Sequence, residues 1–418
     1  MVVTNFFFFL FFFLPFQFSV GSFDTSDFPI VRLIIPIIFL AWLLRGLYLR
    51  KIFLPRAATL FFLSAFLAIA ALSVFWSENP LWATKKLIFW LNFFPLFFVL
   101  IDAFRNTNVR EKALQGLIFG GTAVASVGIL QFILQFFIPL DALLSFYLQS
   151  LRFFLGTNFA NTVSEYPSIL VNIGGSTFLR AFGFFPDPHI FAYYTSMIAP
   201  LALYRASMKN TSVFQKSTPV LLLLATLLSF SRASYVALLV ISVVFAGILL
   251  WRNRTKVPAL GILLFLTVFI VLLVSPVTAR FTSSFSAHDS SVSERIRLSE
   301  EAVENISQAP FWGVGLGNYP LAVKPNASPR EPIYVHNLYL DMAVEIGLVG
   351  LFFFLAFILS CLPKISFKRQ GNFPYQLTLL ASLGIFLIHS LFEYPLFSVH
   401  ILPLLITFLA LLYTEKYV

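Results

Sequence analysis

Apolar runs of membrane-spanning length recur from one end of this chain to the other, and nothing else constrains its fold as strongly. A helix that crosses a bilayer needs about 20 mostly apolar residues. About 12 such runs can be placed, at roughly 6–21, 28–48, 57–76, 87–104, 113–138, 189–207, 217–231, 233–251, 258–276, 336–362, 373–392 and 398–414. Hydrophobic residues make up 59% of the 418 positions and charged residues only 11%. The fold class expected is an all-α polytopic membrane protein of about 12 transmembrane helices, one integral membrane domain over 1–418. The first run, FFFFLFFFLPFQFSV, lacks the charged flank and small-residue cleavage site of a signal peptide, so it is read as a helix. A single cysteine, Cys361, excludes disulfides and cysteine-rich metal sites.

The net charge of +10 is explained by its placement better than by nucleic acid, for which no partner role is expected. Most of the 28 Lys and Arg residues fall in the connections after every second run and in the C-terminal tail. Under the positive-inside rule this puts both termini in the cytoplasm. Two long connections, 139–188 and 277–335, then lie outside. The first contains DALLSFYLQSLRFFLG, which reads as a helix along the membrane surface. In the second, Leu298, Ala302 and Ile306 recur at helical spacing ahead of a Pro and Gly stop. No Walker-type phosphate loop, dinucleotide fingerprint or H-E-x-x-H helix occurs, and the five histidines are scattered, so neither a cofactor nor a metal is expected.

Polar residues on the outer side carry the functional signal. Arg232 sits in LLSFSRASYVALL, pinned between two apolar runs where an unpaired charge is costly. Arg180 stands just before the run at 189–207. Arg295 and Arg297 precede the amphipathic stretch of the second long connection. Guanidinium groups grip phosphate oxygens in a bidentate fork, so this set suits a lipid diphosphate. His336 opens the stretch PIYVHNLYLDMAVEIGLVGLFFFLAFIL. On a regular helix it would share a face, within about 40°, with Ala343, Gly347 and Gly350, and small residues let membrane helices approach closely. Asn337, Asp341 and Glu345 form the adjacent stripe. Glu345, about 13 Å below His336, is expected to be paired or protonated, a structural tie with Arg32 as the suggested partner more readily than a catalytic group.

The ordered set SFSRASYVALL, PFWGVGLGNYP and HNLYLDMAVEIGLVG resembles the C-terminal region of bacterial O-antigen ligases and polymerases. LRAFGFFPDPHIFAYY is similar to the motif that often precedes it, although His189 stands where asparagine is more usual. The resemblance implies a metal-independent, inverting glycosyltransferase at the periplasmic face of the inner membrane. Its donor would be a glycan on undecaprenyl diphosphate; its acceptor would be the lipid A core in a ligase, or a lipid-linked repeat unit in a polymerase. It implies catalytic roles for His336, Arg232 and Arg295, with Arg297 a close rival to Arg295. Arg180, Arg297, Asn337 and Tyr339 are expected to bind substrate. A lipid-linked sugar transporter is the reading from another class; it requires polar residues continuing through the membrane, whereas those here cluster at one side.

Overall fold

A computed structural model describes residues 2–23, 26–165, 168–173, 175–251, 290–328, 331, 333–363 and 373–417. Helix predominates among the described residues. Among the described residues, five helices are long and apolar enough to cross a membrane: Val31–Tyr48, Ala57–Trp76, Pro80–Ala103, Thr107–Leu134 and Leu338–Cys361. The expected span at 258–276 lies outside the described residues, and a helix underlies each of the other apolar runs.

The chain divides into two compact units, each assembled from separate stretches of sequence. The first comprises Met1–Val31, Asn106–Ser286 and Ile365–His389. Its helix α1 (Val2–Phe13) stops well short of the predicted position 21, because Pro15 and the polar residues after it end the apolar run. The chain then folds back as a hairpin, β1 (Ser19–Phe23) and β2 (Ser26–Pro29). Helix α1 lies against α6 (Thr107–Leu134) at Gly116 and Gly120, where a Cβ would fall 2.1 and 2.2 Å from the carbonyl oxygens of Phe8 and Phe12. Two glycines four residues apart thus allow backbone-to-backbone contact that any side chain would prevent.

The amphipathic segment read from sequence is α7 (Leu140–Leu155), which buries Leu143, Tyr147, Leu151 and Leu155 along one stripe and exposes Phe146 and Phe153. It ends at Gly156, whose φ of 93° favours glycine. Then follow α8 (Thr157–Glu165), a hairpin of β3 (Leu170–Ile173) and β4 (Ser176–Leu179), and helices α9 (Pro188–Ala206), α10 (Val213–Leu228), α11 (Arg232–Trp251) and α15 (Phe373–His389).

The second unit comprises Arg32–Arg105, Ala287–Lys364 and Ser390–Val418. It contains α2 (Val31–Tyr48), α3 (Ala57–Leu72), α4 (Pro80–Phe93), α5 (Leu96–Ala103), α12 (Ser290–Gln308), α13 (Tyr319–Val323), α14 (Leu338–Cys361) and α16 (Ile401–Tyr417). Helix α16 is buried on every side from Ile401 to Glu415, as expected of a helix with no polar face. Helix α4 begins seven residues before the apolar run at 87–104. Asn79 caps it by accepting from the Trp82 amide, Pro80 occupies its first turn, and the charge of Lys86 is neutralised inside the protein.

Helix α14 corrects the regular wheel used above. Gly347 has φ 72° and ψ 171°, so two helices meet there across a kink. The backbone groups freed by the kink are not left open. Val314 and Gly315 donate their amides to the carbonyls of Val344 and Glu345 at 2.8 and 2.9 Å, and Leu348 donates to Pro310 at 2.8 Å. Each group left unpaired in a buried site would cost about 1–3 kcal/mol, and irregular backbone survives at membrane depth only where protein supplies the partners. The fit admits only glycine: a Cβ on Gly347 would lie 2.0 Å from the Phe311 carbonyl oxygen. Leu298 and Ala302 of α12 are buried, the latter clustering with Tyr319, Val335 and Val344. The spacing read from sequence therefore seats α12 against α13 and α14.

Candidate active site

His336 does not belong to the helix that follows it. It takes a left-handed conformation, φ 54°, and Asn337 then caps α14, its Oδ1 accepting from the amides of Tyr339 and Leu340 at 3.0 and 3.2 Å. A non-glycine residue in this region is uncommon and costs about 1–3 kcal/mol. The turn is pinned from its other side by Leu338, which donates to the Ser390 carbonyl at 2.8 Å.

That bond brings the 390s beside the histidine, and with them a residue the sequence reading did not select. Glu393 is buried to 7% exposure. Its Oε2 lies 3.6 Å from His336 Nδ1, and its Oε1 accepts from Arg295 Nη2 at 3.3 Å. Arg295 also donates through Nη1 to the Phe392 carbonyl at 3.4 Å. One carboxylate thus accepts from a guanidinium and lies beside an imidazole whose Nδ1 makes no hydrogen bond, with the Tyr334 ring 4.2 Å from the imidazole. The only sequence signal for Glu393 is a polar interruption, HSLFEYPLF, between two apolar runs.

The structure also separates the rival arginines. Arg295 is 32% exposed and turned toward Glu393, whereas Arg297 is 51% exposed and paired with Glu294 at 2.6 Å and Glu301 at 2.5 Å on its own helix. The Arg297 hydrogen bond holds the Glu294 carboxyl below the usual carboxylate range, and the same bond raises the Arg297 guanidinium above its ordinary value. Both groups lie at the surface, where such pairs contribute little to stability.

Deeper in α14, Glu345 is paired as expected but not with Arg32. Lys86 Nζ donates to its Oε1 and Oε2 at 2.7 and 2.6 Å, and lies 4.0 Å from Asp341 Oδ2. The Tyr394 ring covers the ammonium at 4.5 Å. Arg32 instead places its guanidinium 5.5 Å from the Phe89 ring. Lys86 was missed because the apolar-run criterion put WATKK outside the helix.

In the first unit, the LRAFG motif is clamped by two glutamines, Gln131 of α6 and Gln135, which caps that helix. Gln135 exchanges hydrogen bonds with the Leu179 backbone at 2.7 and 3.0 Å, and Gln131 Oε1 accepts from Phe182 and Gly183 at 3.1 and 2.9 Å. Arg180 is only 2% exposed, and donates to the carbonyls of Ser229 at 2.7 Å and Ser168 at 2.9 Å. Its Nη1 lies 3.4 Å from His189 Nε2, whose Nδ1 is 3.4 Å from Ser231 Oγ. The series continues through Ser234 to His389, which stacks on Tyr193 at 3.9 Å. Phe230, with φ 52°, forms the turn that delivers Arg232 to the start of α11, partly exposed. Arg180 and Arg232 therefore belong to one unit, and Arg295 and His336 to the other.

A helical membrane protein with polar motifs at the starts of its helices is the class these features define. More narrowly, residues 218–355 match the family model described as O-antigen ligase. Over that stretch, about a third of its length, the chain is similar to the O-antigen ligase family. Arg232, Arg295, Arg297 and His336 lie within the matched residues; Arg180 and Glu393 lie outside them. No curated protein matches the chain.

Proposed function

We propose that the protein is an O-antigen ligase-type glycosyltransferase, moving a glycan from undecaprenyl diphosphate to the lipid A core at the periplasmic face of the inner membrane. The observation that carries this reading is the meeting of His336 and Arg295 on Glu393, both basic residues lying in the matched segment.

In this reading, His336 takes the proton of the acceptor hydroxyl, for which an imidazole near neutral pH is suited. The freed oxygen forms its bond to the anomeric carbon from the face opposite the diphosphate. The bond between that carbon and the phosphate oxygen breaks, its electron pair leaves with undecaprenyl diphosphate, and the anomeric configuration inverts. Arg295 stabilises the charge that develops on the leaving diphosphate. Arg232 is assigned the same role from its motif, and Glu393, 3.6 Å from Nδ1, is assigned the orienting of the imidazole. Arg180, bound to two carbonyls, shapes the turn before Arg232. Asn337 sets the position of His336 through its cap, and Tyr339 lies in the first turn beside it.

The test is transfer by purified protein supplied with a lipid-diphosphate glycan, with lipid A core added or withheld. Core-dependent product that is lost in Arg232→Ala, Arg295→Ala and His336→Ala is expected. Glycan lengthening without core would identify a polymerase, and full activity in all three variants would remove the mechanism.

A further inference from the structure

Three of the candidate spans end at one place: α2 finishes at Tyr48, α3 begins at Ala57 and α5 finishes at Ala103. There the second unit has a cavity of about 500 Å³ whose lining includes Arg45, Lys51 and Arg105. Asp102 is the one carboxylate among the lining residues. Two helix C-termini add about −0.5 charge each, so the cavity keeps a net positive charge of about one.

The cations are held by built structure. The end of α2 is closed by two backbone hydrogen bonds, Arg50 N to Leu47 O at 3.1 Å and Lys51 N to Gly46 O at 2.9 Å, with Arg50 left-handed at φ 52°. This is the Schellman arrangement, with an arginine where glycine is usual. It folds the chain back so closely that a Cβ on Gly46 would lie 2.8 Å from Ile52 Cγ1, and so returns Lys51 to the turn that carries Arg45. Across the cavity, Trp42 Nε1 donates to Asp102 Oδ2 at 3.0 Å, fixing the carboxylate, and the Arg105 guanidinium lies 4.3 Å over the Phe53 ring. Asp102 reaches Arg105 only at 3.7 Å, so Arg105 retains donors for another acceptor. Leu44, Leu47 and Leu49 at this end of α2 are 57%, 57% and 49% exposed. Leucines that face outward at the end of a span belong in acyl chains, not water.

We propose that this cavity is a binding site for the phosphate headgroup of an anionic membrane lipid, with Arg45, Lys51 and Arg105 as its phosphate ligands. Arginine forks match phosphate oxygens, basic pockets at the ends of spanning helices suit anionic headgroups, and the exposed leucines lie where the acyl chains run. The site is independent of the glycosyl-transfer reading, and its test does not use activity.

The experiment exchanges the purified full chain through phosphatidylcholine vesicles containing one quarter phosphatidylglycerol and counts retained lipid by native mass spectrometry. Wild-type protein is expected to retain phosphatidylglycerol preferentially. Each cation at an anionic surface is worth about fivefold, so Arg45→Ala/Lys51→Ala/Arg105→Ala should lower that preference at least tenfold. Lys209→Ala/Lys216→Ala, which removes two exposed cations of the other unit, should leave it unchanged. Arg45→Gln/Arg105→Gln removes two charges at nearly constant volume and should also lower the preference at least tenfold, which decides the matter if the triple variant fails to fold. Equal retention by wild type and the triple variant would overturn the proposal. So would complete displacement by millimolar inorganic phosphate, which would assign the cavity to a soluble anion.

Discussion

The mouth of α14 and the serine–arginine turn before α11 solve one problem with different materials. Each delivers a basic residue through a left-handed residue that is not glycine, His336 in one and Phe230 in the other. At α14 a buried carboxylate stands beside the turn: Glu393 pairs with Arg295 and lies 3.6 Å from His336, with His336 and Arg295 both partly exposed. At α11 the turn is held by a buried series of hydrogen-bonding groups, from the Arg180 guanidinium on the Ser229 carbonyl through His189 and Ser231 to Ser234. Charge at a partly open mouth suits chemistry on a substrate, whereas a satisfied buried network fixes one geometry.

Substitutions that respect that contrast should separate the two regions. The largest effect is expected at the charged mouth, where His336→Ala should lower transfer about 10²–10⁴-fold while His189→Ala changes it only a few-fold; comparable losses would erase the distinction. Next is the charge beneath the mouth. Glu345→Ala leaves Lys86 without its nearest carboxylate and should cost about 3–5 kcal/mol in a denaturation measurement, most of it recovered in Lys86→Met/Glu345→Leu. Gly347→Ala should cost at least about 3 kcal/mol, from a strained φ and a clash with the Phe311 carbonyl.

Smaller effects sharpen the comparison further. Glu393→Gln keeps volume and removes charge, and should slow transfer at least about tenfold, whereas Ser231→Ala should cost about 1 kcal/mol of stability and leave the rate within about threefold. The smallest change is at His336→Gly. Glycine relieves the left-handed strain, so stability should rise by up to about 1 kcal/mol even as transfer is lost. A variant that lost both would show that the histidine holds the turn as well as serving the reaction.

Helical periodicity and polar motifs were legible in the chain; the ways the chain departs from regularity were not. The stripe of Leu298 and Ala302 and the amphipathic α7 follow from spacing, because a regular helix repeats. The break at Gly347 does not, since glycine inside an apolar run also serves close helix packing, and that is how Gly116 and Gly120 are used. The different surroundings of Arg295 and Arg297 were not legible without the partner across space: residues two apart on α12 point in different directions, and Glu393 arrives from nearly a hundred positions later in the chain. Lys86 was hidden for a related reason. A lysine in a span is disfavoured until Glu345 and the Tyr394 ring are seen around it.

The kink at Gly347 has a mechanical side. It divides α14 into a short rod from Leu338 to Ile346 and a long one below it. The short rod, about 13 Å in length, is pinned above at the Ser390 carbonyl and below by the loop that follows α12. When a bilayer thickens or thins, spanning helices tilt to match it. A rod held by hydrogen bonds at both of its ends resists such a tilt, and it is this held rod that His336 heads.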